Sequence, residues 1–144
     1  MPLTQADLTA ALPDVTTTMS LGALTAPVTI VRDAWGVPHI RAENSRDAFV
    51  AQGFATAQDR LWHMDYDRFR ALGRWSELAG DAGLTEDRMM RTFDLTRASK
   101  ADYDVCSNDA RSMLDAYAVG INAFIDTTSA LPVEYGLTGR SEEH

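Results

Sequence analysis

Cysteine is almost absent. Cys106 stands alone, so no disulfide can form within the chain. A lone cysteine is usually a small buried hydrophobe; a nucleophilic thiol needs a histidine with an orienting acid beside it, and nothing around Cys106 suggests that arrangement. Histidine is scarce as well. His39, His63 and His144 lie far apart, with no pair at helical spacing and no cysteine at zinc-like spacing, so the sequence offers no metal site. There is no run of 18 apolar residues, which excludes a membrane-spanning helix. The opening Met1–Asp7 lacks a basic region followed by an apolar one, so no secretory leader is visible. This places the protein in the cytoplasm, or in the periplasm or outside the cell if a leader has been removed. Positive charge is in deficit, 13 basic residues against 21 acidic and a net charge of −8. Such a chain is repelled by phosphate backbones, which excludes nucleic acid as a partner. The nearest approach to a basic patch, Arg88, Arg91, Arg97 and Lys100, is interleaved with Glu86, Asp87, Asp94 and Asp102 and reads as a solvated mixed-charge helix face. Phosphate-binding glycine loops, GxSxG and HExxH are also missing.

What remains is a globular composition, with 45% hydrophobic and 24% charged residues. Thr4 and Asp7 have the spacing of a capping box, followed by a short helix that stops before Pro13. Residues 14–26 read as an irregular arm, and residues 1–27 together are taken as an N-terminal arm preceding a unit over 28–144. Val28–Asp33 is a β-branched run and reads as a strand. Gly36 and Pro38 provide turn chemistry, and Val37–Ala42 returns as a second strand. A two-stranded hairpin is marginal alone and needs a larger sheet to join. From Asn44 or Ser45, as cap, a helix runs through Asp47 to Leu72, with Asp47 complementing its dipole and Gly53 marking a close contact or a weak point. A short helix fits Arg74–Ala79. Thr85 is a cap for helical turns reaching Tyr103. Ser107 or Asn108 caps the clearest helix, in which Ala110, Met113, Leu114, Tyr117, Ile121, Phe124 and Ile125 share one face. The tail from Leu131 to Gly139 reads as a loop, and Ser141–His144 ends without a closing element.

Chemistry is hard to find among these elements. His39 follows a turn and reads as a hydrogen-bonded structural histidine. Asp65 with Asp67 and Glu86 with Asp87 are too close in sequence to share a helix face, so neither is an acid–base pair. Asp59 with Arg60 and Asp67 with Arg68 read as ion pairs. Trp62, Tyr66 and Phe69 converge on one helix and read as core or as an inter-chain seam.

Five segments carry a resemblance. Val31-Arg32-Asp33-Ala34-Trp35-Gly36-Val37-Pro38-His39-Ile40 resembles the opening strand, turn and strand of the penicillin acylase family. Gly53-Phe54-Ala55-Thr56-Ala57-Gln58-Asp59-Arg60-Leu61-Trp62-His63-Met64-Asp65 is similar to its Gly-aromatic…Ala-Gln-Asp-Arg-Leu helix. Gly73–Gly80 is similar to its Gly-Arg…Glu…Gly segment, and Asp87–Arg91 to the helix that follows. Tyr117–Ile125 resembles its Tyr-Ala-Asp-Gly-Xaa-Asn-Ala helix, with Val119 where an acid is common. The match runs from about residue 28 to 137 in order and in register.

The resemblance implies an α+β fold: a mostly helical α-chain portion with a β-hairpin, part of a four-layer αββα N-terminal-nucleophile hydrolase sandwich. A β chain from the same precursor would complete it. Self-cleavage would expose that chain's first Ser, which attacks a small N-acyl amide with its own α-amino group as base. β-Lactam side chains, N-acyl homoserine lactones and other N-acyl amines are the substrate classes implied. No catalytic residue maps onto this chain, its substrate-binding residues are undetermined, and the acyl-pocket segment and the ligand of the family's structural calcium lie past the equivalent of His144. The chain itself is expected to need no cofactor. Asp59, Arg60 and Arg91 are expected in buried or interface ion pairs, and Trp62 and Met64 in core beneath the β chain's sheet. The competing reading is a non-catalytic scaffold or interaction fragment derived from such an α chain.

Overall fold

Local chemistry sets the first elements. A computed structural model of the chain describes residues 3–13 and 15–138; His144 and the end of the tail lie outside them. Helix α1 (Gln5–Ala10) starts at Thr4, whose hydroxyl accepts from Asp7 N while the Asp7 carboxylate accepts from Thr4 N, the reciprocal capping box expected. Strands β1 (Thr29–Arg32) and β2 (Pro38–Arg41) pair antiparallel with Ile30 opposite Ile40. Pro38 sits at the end of the ladder, opposite Arg32, where its missing N–H costs least. Alternation turns Ile30, Arg32, Pro38 and Ile40 toward the body and leaves Val31, Val37 and His39 exposed. Among the described residues these two strands are the only sheet.

Two long helices form the frame. Helix α2 (Ser45–Ala71) is capped by Asn44, whose side chain accepts from Asp47 N, and is divided by non-helical backbone at Arg60 (φ −145°, ψ 22°). Helix α6 (Asn108–Thr127) is capped by Ser107 and packs along the first part of α2. The crossing is set by two glycines. A Cβ on Gly53 would lie 2.0 Å from the Tyr117 carbonyl oxygen, and one on Gly120 would lie 1.9 Å from that of Val50. Backbone therefore meets backbone at both points, and Gly53 is a close contact rather than a weak point. Val50, Ala51, Phe54, Ala57, Leu61 and Ala116 bury there, and the Phe54 and Phe124 rings meet edge to face at 5.6 Å.

Between the long helices lie α3 (Ser76–Ala79), a 3-10 turn over Gly80–Gly83, α4 (Leu84–Phe93) and α5 (Leu95–Val105). Several expectations are corrected here. Thr85 is not a cap: α4 emerges directly from the 3-10 turn with no side-chain cap. The turns toward Tyr103 are two helices, because Asp94 takes a left-handed conformation (φ 50°), ends α4 and caps α5 through Arg97 N. On α6 the buried line runs through Ala116 and Gly120, whereas Met113 and Leu114 are exposed. Small residues permit the close crossing with α2, while Ile121, Phe124 and Ile125 of the expected stripe pack against the core beside it.

The tail is also corrected. Residues Val133–Thr138 form helix α7, not a loop. Tyr135 explains its presence: it is buried against Ala57 and Leu61, its ring meets Trp62 edge to face at 5.0 Å, and its hydroxyl donates to Asp65 Oδ2 at 3.2 Å. Replacing Tyr135 by Phe keeps the ring packing and removes the hydroxyl's bond to a carboxylate. A loss of about 1.5 kcal/mol in the folding stability of the complete protein is expected. Chemical denaturation read at the level of the whole chain checks it; an unchanged midpoint would mean the bond contributes nothing.

Candidate functional site

Among the described residues three carboxylates are buried, and each ties elements of the fold together. Asp47, at the first turn of α2, is fully buried. It accepts from Thr25 N (3.1 Å), Thr25 Oγ1 (2.6 Å), Ala26 N (2.9 Å), Asn44 Nδ2 (2.8 Å) and Arg46 Nη1 (3.1 Å). The Thr25 hydroxyl, with Asn44 and the two backbone amides, outweighs burial and holds this carboxyl well below the usual range. Asp47 thus pins the arm to the start of α2, a role larger than complementing the helix dipole. Asp87, on α4, accepts from Trp75 N (2.7 Å) and Ser76 N (2.8 Å) and organises the start of α3. Burial pushes its carboxyl up, but the hydrogen bonds from Ser76 and Trp75 prevail and lower it. The reading of Asp87 as part of a solvated helix face is therefore wrong. Asp65 binds Arg68 at 2.6 Å and Tyr135, fastening α7 to α2.

The other singled-out residues separate into ties between elements. Asp59 forms a two-pronged pair with Arg32 (2.9 and 2.8 Å), joining the hairpin to α2, and Arg32 also reaches Gln58 and the Gly36 carbonyl. Arg60 is exposed at the break in α2, without an ion-pair partner among the described residues, so its expected pairing with Asp59 is replaced by Arg32. Arg91 donates to the Gly73 carbonyl at 2.8 Å and faces Asp87. Arg68 pairs with Asp65, not Asp67, which instead lies 3.5 Å from His63. Arg70 pairs with Glu86 at 2.6 Å. His39 is hydrogen-bonded to Asp33 at 3.2 Å, as expected of a structural histidine. Trp62, Tyr66 and Phe69 do not converge: Trp62 packs on Tyr135, Tyr66 meets Trp75 edge to face at 4.8 Å, and Phe69 is buried beneath Arg68 and Arg74.

A concavity of about 580 Å³ lies between the arm, β1 and α2, lined among others by Met19, Leu24, Ile30, Arg32, Phe54 and Gln58. Cys106 is half-buried and makes no side-chain hydrogen bond among the described residues. No three His, Cys, Asp or Glu side chains come together as a metal shell among them. No described helix is long and apolar enough to cross a membrane. Neither Asp47 nor Asp87 carried a sequence signal for its role, because the backbone each holds lies 22 or 12 residues upstream.

A hairpin tied by Arg32 and Asp59 to a broken helix, crossed by a second helix at paired glycines, is the frame that the described residues build. The penicillin amidase family matches residues 27–144, and the chain belongs to that family. It is 41% identical over 136 residues to the penicillin acylase 2 proenzyme of Pseudomonas sp. (strain SE83), covering 94% of this chain and 18% of that protein. It is 33% identical over 134 residues to an acyl-homoserine lactone acylase of Pseudomonas aeruginosa, covering 92% of this chain and 16% of the relative. Among solved structures, a thermostable penicillin G acylase from Alcaligenes faecalis superposes with a TM-score of 0.72 at 29% identity, over 81% of this chain and 64% of that one. The chain thus spans less than a fifth of the length of these curated relatives. The helix-rich frame with one antiparallel hairpin is that of the matching part of the acylase.

Proposed function

We propose that this chain is the N-terminal α-chain portion of an amide hydrolase that cleaves small N-acyl amides, and that it works as scaffold rather than as chemical machinery. The carrying observation is the match of residues 27–144 to the penicillin amidase family. The relatives' names, two acylases of penicillin type and one of acyl-homoserine lactones, support N-acyl amides as the substrate class. The word proenzyme in one of them supports a β chain released from a common precursor. In that arrangement the hydroxyl of the β chain's first Ser attacks the amide carbonyl. Its α-amino group takes the hydroxyl proton and delivers it to the departing amine as the C–N bond breaks. Water then attacks the ester and releases the acid. The two chains would form one interdigitated four-layer sandwich, with a contact of obligate size, above roughly 2,000 Å² in total.

The buried carboxylates support the scaffold role. Asp47, Asp65 and Asp87 are buried and direct their hydrogen bonds to the arm, α7 and α3. The test is the complete gene product assayed against N-acyl amides with aromatic, short aliphatic, long aliphatic and dicarboxylic acyl groups. Turnover of at least one series is expected. Members differing by one methylene should differ by about 10–200-fold, because an apolar pocket discriminates weakly by size. Correct processing with no turnover of any member would favour the non-catalytic scaffold instead.

A further inference from the structure

We infer that Trp35, at the tip of the hairpin, is a preformed anchor for the β chain: an indole held out on a rigid turn to fill an apolar pocket of that partner. This rests on the αβ reading above.

The backbone around Trp35 is fixed from several directions. One oxygen of Asp33 accepts from Trp35 N at 2.9 Å and from Val37 N at 3.0 Å, while the other faces His39 Nε2 at 3.2 Å. Gly36 N closes the turn onto the Asp33 carbonyl at 2.9 Å, with Gly36 at φ 80°, a conformation glycine adopts without strain. Arg32 then holds the Gly36 carbonyl at 2.9 Å and, through Asp59, ties the whole turn to α2. The side chain that this framework presents is nevertheless in water. Trp35 is 87% exposed, the most exposed of the described large hydrophobic residues, and its apolar neighbours Val31 and Val37 are 59% and 50% exposed.

An indole offers about 150–250 Å² of burial. Leaving it solvated on a turn fixed by so many bonds forfeits that gain unless something covers it. A turn already ordered before association loses little entropy when a partner closes on it, and Trp is enriched among residues that dominate interfaces. Other exposed apolar residues, such as Met89 and Phe93 on α4, lie on a helix face with no comparable organisation. The occupant argued for is the β chain rather than a second copy of this chain. The curated relative is more than about five times the length of the matched segment, so the family polypeptide supplies a large surface outside the described residues. The pocket should be apolar with one acceptor for the indole N–H.

The test uses the full-length gene product, processed or not. Hydroxyl-radical footprinting with mass spectrometry gives the oxidation rate of Trp35 in the native and in the urea-unfolded protein. The native rate should be at least about tenfold slower, the protection of a buried group. Trp35→Ala should speed loss of the α–β contact in sub-denaturing urea by at least about tenfold, and Trp35→Phe should restore most of it. A native rate within about twofold of the unfolded one overturns the inference. So does protection that disappears on dilution while α and β stay together, which would identify a second copy. Amide turnover is measured on the same preparation: turnover with an unprotected Trp35 removes the anchor and leaves the enzyme reading intact. A protected Trp35 without turnover does the reverse.

Discussion

Gly120→Leu is expected to prevent the protein from accumulating in folded form. In an ordinary exposed helix, replacing glycine by a residue with a side chain gains up to about 1 kcal/mol, because glycine loses more backbone freedom on folding. At Gly120 the sign reverses. Even a methyl group would sit 1.9 Å from the Val50 carbonyl oxygen and 2.8 Å from Phe54 N, both backbone atoms of α2 that cannot turn aside as a side chain can. The helices would have to separate, and Gly53 would lose its own contact with Tyr117 at the neighbouring point of the same crossing. Overpacking of this kind costs about 1–3 kcal/mol for small insertions and more for large ones. A leucine here should exceed about 3 kcal/mol, a large share of the 5–15 kcal/mol typical of a native protein. Gly136→Ala is the control, since it sits in α7 with nothing within 4 Å of its would-be Cβ and without a positive φ. It should be neutral or stabilise by up to about 1 kcal/mol. Yield of folded protein and denaturation midpoints, measured on the complete chain, separate the two; equal behaviour would mean that the glycine crossing has been misread.

Asp47→Ala is expected to release the arm. The substitution strips the acceptor from Thr25 N, Thr25 Oγ1, Ala26 N and Asn44 Nδ2 at once, at a site with no solvent access to replace it. Protease cleavage within residues 15–24 should accelerate on the order of tenfold or more, because such cleavage follows the population of the opened segment. Cleavage elsewhere should change far less. The same group predicts a dependence on pH. Its folded-state pKa is depressed below the unfolded value of 3.8, as is that of Asp87. The stability each contributes is therefore fully present above the unfolded pKa and is lost as pH falls through the folded one. The arm should stay protected from neutral pH down to about pH 4 and open progressively below it. In Asp47→Asn the arm should already be loosened at neutral pH, with a flatter acid dependence. Equal arm protection in wild type and variant between pH 7 and pH 3 would contradict this account.

Much of the frame is legible in local sequence. The hairpin follows from the β-branched Val28–Val31 run and the Gly36–Pro38 turn, and the ends of α6 follow from Ser107 and from periodicity. The failures have non-local causes. On α6 periodicity finds Ile121, Phe124 and Ile125, which pack on the core, but it also favours Met113 and Leu114, which are exposed, and it misses Ala116 and Gly120, where the closest contact with α2 falls. Helix α7 was hidden by Leu131-Pro132 and Gly136, which look like loop; Tyr135, held by Asp65 and Trp62 some 70 residues upstream, supplies what local propensity lacks. The break at Asp94 required a non-glycine residue in the left-handed region, which composition does not announce. Family membership was legible from motifs in register, yet the roles of Asp47 and Asp87 were not. A single acid in a helical first turn looks the same whether it meets water or a folded-back arm.

The central claim is that this chain frames an amide hydrolase whose covalent chemistry occurs on another chain. Its most direct test is mass spectrometry of the complete enzyme quenched during turnover of a good N-acyl amide. The account predicts an acyl adduct on the first residue of the β chain and none on residues 1–144, Cys106 included. An adduct on any residue of this chain, or turnover that persists when the β chain's first Ser is removed, would contradict it.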